Sequence, residues 1–218
     1  MYTGYEKVLE RLLEERLNVG MEQDEIASLI GVTQSNYSKT ERGMRRFSYF
    51  QVKRLCETNM DINYIFTGEK STGHYNIEQY SYTELRAIMD MVVDMLLFEF
   101  SDNNERIMRH NLRCIKYFNI FNKHPYTNMK ILRDIQGITQ ENMACEVGVD
   151  IKKYRMLEKG KSDPDSELIW MAYNDYGIAP GIILKDKKAL AGYVKCILDE
   201  LNSIGLIKLN KFFSIIEQ

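Results

Sequence analysis

The feature that most constrains the fold of this 218-residue chain is an internal repeat that aligns without gaps. Residues 20–32 read GMEQDEIASLIGV and match residues 137–149, which read GITQENMACEVGV, at an offset of 117. The match continues at a tyrosine, a glutamate and a glycine, which are Tyr37 with Tyr154, Glu41 with Glu158 and Gly43 with Gly160. With one slipped residue, 61–66 also parallels 177–184. The repeat therefore predicts two copies of one supersecondary unit.

Each copy has the pattern of short helices separated by turns. In the first copy the predicted helices are 5–18, 23–30, 34–42, 47–59 and 62–67. Gly31 and Gly148 follow a helix, where a left-handed backbone costs glycine least. Thr33 and Asp150 then supply side-chain oxygens that cap the next helix. Each copy is therefore predicted to hold two helices joined by a three-residue turn.

The rest of the chain also carries helical patterns. Apolar residues recur at helical spacing at Leu85, Ile88, Met89, Val92 and Leu96, at Ile107, Cys114, Phe118 and Phe121, and at Leu190, Tyr193, Val194, Ile197, Leu198 and Leu201. Only residues 69–76 resemble a linker. The expected fold is all-α, with helix-turn-helix units at 1–69 and 126–186, a helical connector at 70–125 and a C-terminal helical tail at 187–218.

Composition excludes several classes of protein. No run of roughly 20 apolar residues exists and acidic residues interrupt the N-terminal segment, so we expect a cytoplasmic protein without a membrane span or secretion signal. The cysteines Cys56, Cys114, Cys145 and Cys196 form no Cys-x-x-Cys pair and are expected to be small buried residues rather than zinc ligands. No catalytic arrangement, metal site or cofactor site is legible, so we expect no enzyme.

Between Gly20 and Gly43 the chain reads Gly-x-x-Gln-x-x-x-Ala-x-x-x-Gly-Val-Thr, followed by Tyr-Ser-Lys-x-Glu-Arg-Gly. This pattern resembles the Cro and phage-repressor (XRE-type) helix-turn-helix family over residues 5–69, and residues 126–186 resemble it more distantly. The resemblance implies lambda-repressor-like domains in a regulator that places a recognition helix in the major groove of double-stranded DNA. The operator, and the choice between repression and activation, stay open.

By this resemblance, Gln34, Ser35 and Lys39 occupy base-reading positions, and Gln23 touches phosphate and braces the first reader. A glutamine amide suits adenine and a lysine suits guanine. The predicted DNA contacts are Gln23, Thr33, Gln34, Ser35, Asn36, Ser38, Lys39, Arg42, Arg45 and Arg46. Alone, such a run is typical of a solvent-facing helix, and the motif favours DNA contact instead. Residues 33–47 hold four basic side chains and one acidic side chain, net +3, whereas the whole chain has a net charge of −2.

The second copy is a weaker candidate, because Ile151 stands at the position of Gln34 and Met156 at that of Lys39. Its possible DNA contacts are Gln140, Ile151, Lys152, Lys153, Arg155, Lys159 and Lys161. Residues 150–165 hold five basic and four acidic side chains, net +1, so electrostatic attraction to DNA is poorer here. Two interpretations stay open: weak DNA contact, or a helical domain that binds protein.

The inequality of the two copies favours a homodimer, which would present two good recognition helices to an inverted repeat. Apolar residues outside the main stripe are expected to supply the interface, namely Met95, Leu97, Phe98 and Phe100, with Phe212, Phe213, Ile215 and Ile216 in the tail. Burial between the two units is the alternative use of this surface. The alternative function is an antitoxin or protein-interaction module whose apolar helices cover a partner and whose DNA-binding domain autoregulates.

Overall fold

The computed structural model describes residues 4–99, 106–123 and 127–203. Within these ranges the chain forms thirteen α-helices and no strand, which confirms the all-α expectation. Among the described residues no helix is both long and apolar enough to cross a membrane. Phe100 and the apolar residues of the tail, which were predicted to join a dimer interface, lie outside the described residues.

The first helical unit comprises α1 (Glu6–Asn18), α2 (Gln23–Ile30), α3 (Gln34–Glu41), α4 (Tyr49–Leu55) and α5 (Ile62–Thr67). The predicted helix at 47–59 is shorter than expected. The Ser48 hydroxyl accepts the Gln51 backbone N–H, so α4 begins at Tyr49 instead of residue 47. The helix ends at Leu55, where the chain turns. The unit closes over a buried core that includes Leu12, Ile26 and Tyr37.

Two long helices follow, α6 (Tyr82–Glu99) and α7 (Arg106–Phe121). The second helical unit comprises α8 (Asn128–Gln136), α9 (Gln140–Glu146), α10 (Ile151–Glu158), α11 (Ser166–Tyr176) and α12 (Pro180–Leu184), and α13 (Lys187–Ser203) ends the described chain. The α6 helix packs on α7 and α13, and α13 also packs on α5 and α12. The predicted apolar stripes of α6 and α13 are buried throughout, so these helices join both units into one packed body.

The two helical units also touch directly. The Ser166 side chain, at the start of α11, accepts the Phe47 backbone N–H at 3.1 Å and lies 2.5 Å from the Tyr5 hydroxyl. The Ser166 backbone N–H donates to the Phe47 carbonyl at 2.9 Å. Tyr5, Phe47 and Ser166 are all buried, so these bonds fix the loop after α3 against the second unit.

The segment 69–76, which the sequence allowed to be a linker, is attached to α13. The Asp199 carboxylate accepts the Thr72 backbone N–H at 2.8 Å and the Tyr75 hydroxyl at 2.7 Å. Further along, Lys195 pairs with Glu78. This segment is therefore part of the packed body.

The prediction of four buried cysteines is half correct. Cys56 and Cys114 are buried, whereas Cys145 is exposed and Cys196 is half-buried. On α9 the buried residues are Met143 and Ala144, and Cys145 lies outside this buried face. Cys196 borders a cavity of about 1210 Å³ beside the end of α5, which leaves its thiol partly accessible.

Candidate nucleic-acid interface

The turn between α2 and α3 has the predicted geometry. Gly31 ends α2 in the left-handed region, with φ 74° and ψ 37°, which a glycine adopts without a Cβ clash. The Thr33 hydroxyl then accepts the Asn36 backbone N–H and caps α3. Ala27 is buried where α2 packs on α3, so its small side chain permits the close approach of the two helices.

A relay of amide groups supports the first residue of α3. The Gln34 side-chain amide donates to the Gln23 side-chain oxygen at 2.7 Å. The Gln23 amide in turn donates to Glu41 at 2.6 Å. Gln34 is therefore braced from α2, which leaves it exposed to solvent but restricted in orientation.

The relay ends on a buried ion pair. The Arg16 Nε donates to Glu41 Oε1 at 2.8 Å, and both side chains are less than a tenth exposed. Arg16 also donates to the Met21 carbonyl at 2.9 Å, and the Tyr37 hydroxyl donates to Glu41 at 3.1 Å. Burial lowers the pKa of Arg16, but the hydrogen bond and charge of Glu41 outweigh it and leave that pKa raised.

Burial, together with the Glu41 carboxylate, raises the pKa of Tyr37. Its phenol therefore stays protonated and continues to donate. The role of Glu41 in this network was not predicted from the sequence. The available signal was that Arg16 and Arg133 match at the same offset of 117 that relates Glu41 to Glu158.

The structure brings the predicted DNA contacts together at the start of α2, at the cap and outer face of α3, and in the loop that follows. Thr33, Gln34, Ser35, Arg42 and Arg45 are exposed, and Gln23, Asn36, Ser38, Lys39 and Arg46 are half-buried. The inner face of α3 carries the buried Tyr37 and Thr40. The helix is thus anchored on one side and presents amide, hydroxyl and basic groups on the other.

The two arginines that the sequence treated alike have different surroundings. Arg45 is exposed. Arg46 lies 3.6 Å from the Asp165 carboxylate and pairs with Glu167, whose side chain is 1% exposed. The contact of Arg46 with phosphate stays a prediction, because its guanidinium already has acidic partners in the second unit.

The second helical unit repeats the supporting network. Arg133 Nε donates to Glu158 Oε1 at 2.5 Å and its Nη1 donates to the Ile138 carbonyl at 3.1 Å. Gln140 donates to Glu158, as Gln23 does to Glu41. Gly148 is left-handed and Asp150 caps α10 by accepting the Lys153 backbone N–H. The network that supports α10 is therefore equivalent to the network that supports α3.

The outer face of the second unit differs. The oxygen of Gln140 accepts from Arg155 at 3.3 Å, and Arg155 also lies 3.1 Å from Glu141. Ile151 is half-buried, as is Gln140, and the remaining candidates Lys152, Lys153, Arg155, Lys159 and Lys161 are exposed. This surface offers basic groups, of which Arg155 is already paired, and no amide reader.

Comparison with known proteins supports the helix-turn-helix assignment for the first helical unit only. Residues 12–58, which contain α2, α3 and α4, match the family model described as Helix-turn-helix. The second helical unit lies outside this match, which therefore does not support two copies of the family domain. Neither a curated protein nor a solved structure matches the chain. By this match and by the geometry of its turn, the first helical unit contains a helix-turn-helix of the DNA-binding type.

Proposed function

We propose that this protein is a transcription regulator that recognises specific sequences of double-stranded DNA. The observation that carries the proposal is the exposed Gln34 side chain, braced by Gln23 on a helix that a helix-turn-helix would insert into the major groove. A fixed amide at this place pairs with adenine in a bidentate manner, and the nearby Lys39 donates to guanine. The exposed Arg42 and Arg45 contact phosphate and supply the salt-dependent part of the affinity.

The test uses DNA selected from a random pool by the full chain. Gln34→Ala and Lys39→Ala should each weaken binding to the selected sequence by ~1 to 3 kcal/mol, with a much smaller loss on random DNA, because base contacts carry the specificity. Ser28→Ala, at an exposed position of α2, is the matched control and should change neither affinity. Equal losses on selected and random DNA would contradict base readout.

A homodimer remains a prediction, and the outer face of α6 favours it. Met91 is 37% exposed and Phe98 is 81% exposed, and both line a groove with Met95. Large exposed apolar side chains in one patch are typical of a partner interface. Light scattering at micromolar concentration should give twice 25.6 kDa if a second copy covers this face.

The same patch supports the second candidate function, an antitoxin or protein-interaction module. Asp90 and Asp94 border the apolar groove but already pair with Lys123 and Lys116, so a partner helix would fit the groove mainly through an apolar face. Co-purification separates the two candidates. An antitoxin brings down a stoichiometric partner protein, whereas a regulator brings down DNA and copies of itself.

A further inference from the structure

The packing between the two helical units is reciprocal. At the offset of 117, helices α1 to α5 correspond to α8 to α12. The α4 helix packs on α12. The counterpart of α4 is α11 and the counterpart of α12 is α5, and these two helices also pack on each other. The pair α5 and α12 pack on each other. Exchange of the two units leaves this set of contacts unchanged, which is the property of a two-fold, isologous interface, since a head-to-tail contact is not reciprocal.

Side-chain contacts repeat this reciprocity at equivalent acidic residues. Glu69 and Asp186 are related by the same offset, and each lies two residues beyond the last helix of its unit. Lys53 of α4 reaches across to Asp186, with 4.0 Å between the charged atoms. Tyr173 of α11 reaches in the opposite direction and donates to Glu69 at 2.6 Å. Each unit therefore anchors the same position of the other.

The symmetry is approximate, because other contacts are unequal. Ser166 binds Tyr5 and Phe47, whereas its counterpart Tyr49 donates to the carbonyl of Leu184 at 3.2 Å. Arg46 pairs with Glu167 on one side of the interface only, since the residue at the offset from Arg46 is Asp163. These bonds fix one arrangement of the two units.

We infer that α3 and α10 form an approximately two-fold pair of recognition helices within a single chain, so that one chain, rather than the predicted homodimer, occupies an operator of two unlike, inverted half-sites. This inference rests on the proposed function. Two helices that hold the same place in units related by a two-fold axis are related by that axis themselves. Such a pair matches the local two-fold symmetry of DNA, as homodimeric regulators do with two chains.

The two half-sites should differ in stringency. Gln34, Ser35 and Lys39 on α3 read the first half-site through base edges. On α10, Ile151 offers only apolar contact to a thymine methyl group, while Lys152 and Lys153 contact phosphate. The operator should therefore have one strictly defined arm and one tolerant arm.

The experiment uses the full chain and the DNA that it selects from a random pool. Native mass spectrometry should find one chain per operator, and footprinting should show protection over both arms. The double variant Lys152→Ala/Lys153→Ala should lose protection over the tolerant arm alone and reduce the slope of log affinity against log salt by about 2. The control Lys7→Ala/Lys187→Ala removes the same charge from exposed positions outside both recognition helices and should leave protection and slope unchanged.

Two chains on a symmetric operator, with both arms sensitive to Gln34→Ala, would overturn the inference and leave the proposed function intact. Unchanged protection in Lys152→Ala/Lys153→Ala would also overturn it. If the chain enriches no sequence, the proposed function itself fails, and the inference fails with it.

Discussion

The two helical units share a scaffold and differ in the face that it presents. In both, an arginine and a glutamate hold a glutamine at the start of the helix before the turn, through Arg16, Glu41 and Gln23 or through Arg133, Glu158 and Gln140. In the first unit that glutamine braces Gln34, and in the second it accepts from Arg155. A small buried network thus suffices for the scaffold, and the exposed residues can change without disturbing it.

The largest expected effect tests whether the two networks are equally structural. Glu41→Gln should lower the free energy of unfolding by about 3 kcal/mol, because it leaves the buried Arg16 without its carboxylate. Glu158→Gln should cost somewhat less, since the Arg133 side chain is 18% exposed against 7% for Arg16. Urea denaturation measures both losses.

The control for these variants is Glu57→Gln, which breaks the exposed pair with Arg54 and should change the free energy of unfolding by less than about 0.5 kcal/mol. A Glu158→Gln variant as stable as this control would break the comparison, because the second network would then not support its unit.

An intermediate effect should separate two adjacent arginines. Arg46→Ala should lower the free energy of unfolding by about 1 kcal/mol, because it removes an ion-pair partner of the buried Glu167, while the 33% exposure of Arg46 itself weakens the pair. Arg45→Ala should leave stability unchanged and reduce the salt slope of DNA binding by about 1, the value for one phosphate contact. Denaturation and binding titrations at several salt concentrations measure the two quantities. Equal changes in stability and in salt slope for the two variants would contradict the ion pairs of Arg46 with the second unit.

The smallest expected effect is a difference in thiol accessibility among the cysteines, without a change in the free energy of unfolding. At pH 8 a thiol reagent should modify the exposed Cys145 in the native protein. Cys56 should react only after denaturation, because it is buried and burial raises the pKa of its thiol to about 12. Cys145→Ser identifies the fast-reacting group, and modification in urea should reach all four cysteines. Fast native modification of Cys56 would contradict its burial.

Much of the first unit could be predicted from local signals. Gly31 predicted the turn and Thr33 predicted the helix cap, because a left-handed glycine and a capping hydroxyl depend only on neighbouring backbone groups. The sequence also placed Gln34 and Ser35 among the predicted DNA contacts, and both side chains are exposed. It did not reveal the acidic partners of Arg46, since Asp165 and Glu167 lie far away in the chain.

The sequence by itself determined the helices, the turn in each copy and the buried stripes of α6 and α13, because these depend on periodicity and on interactions within a few residues. Only the tertiary structure decided how the units face each other. The bond between Phe47 and Ser166 joins residues 119 positions apart, and Tyr173 meets Glu69 across 104 positions. Such contacts form only when whole helices have packed, so no local pattern encodes them, and they set the relation between α3 and α10.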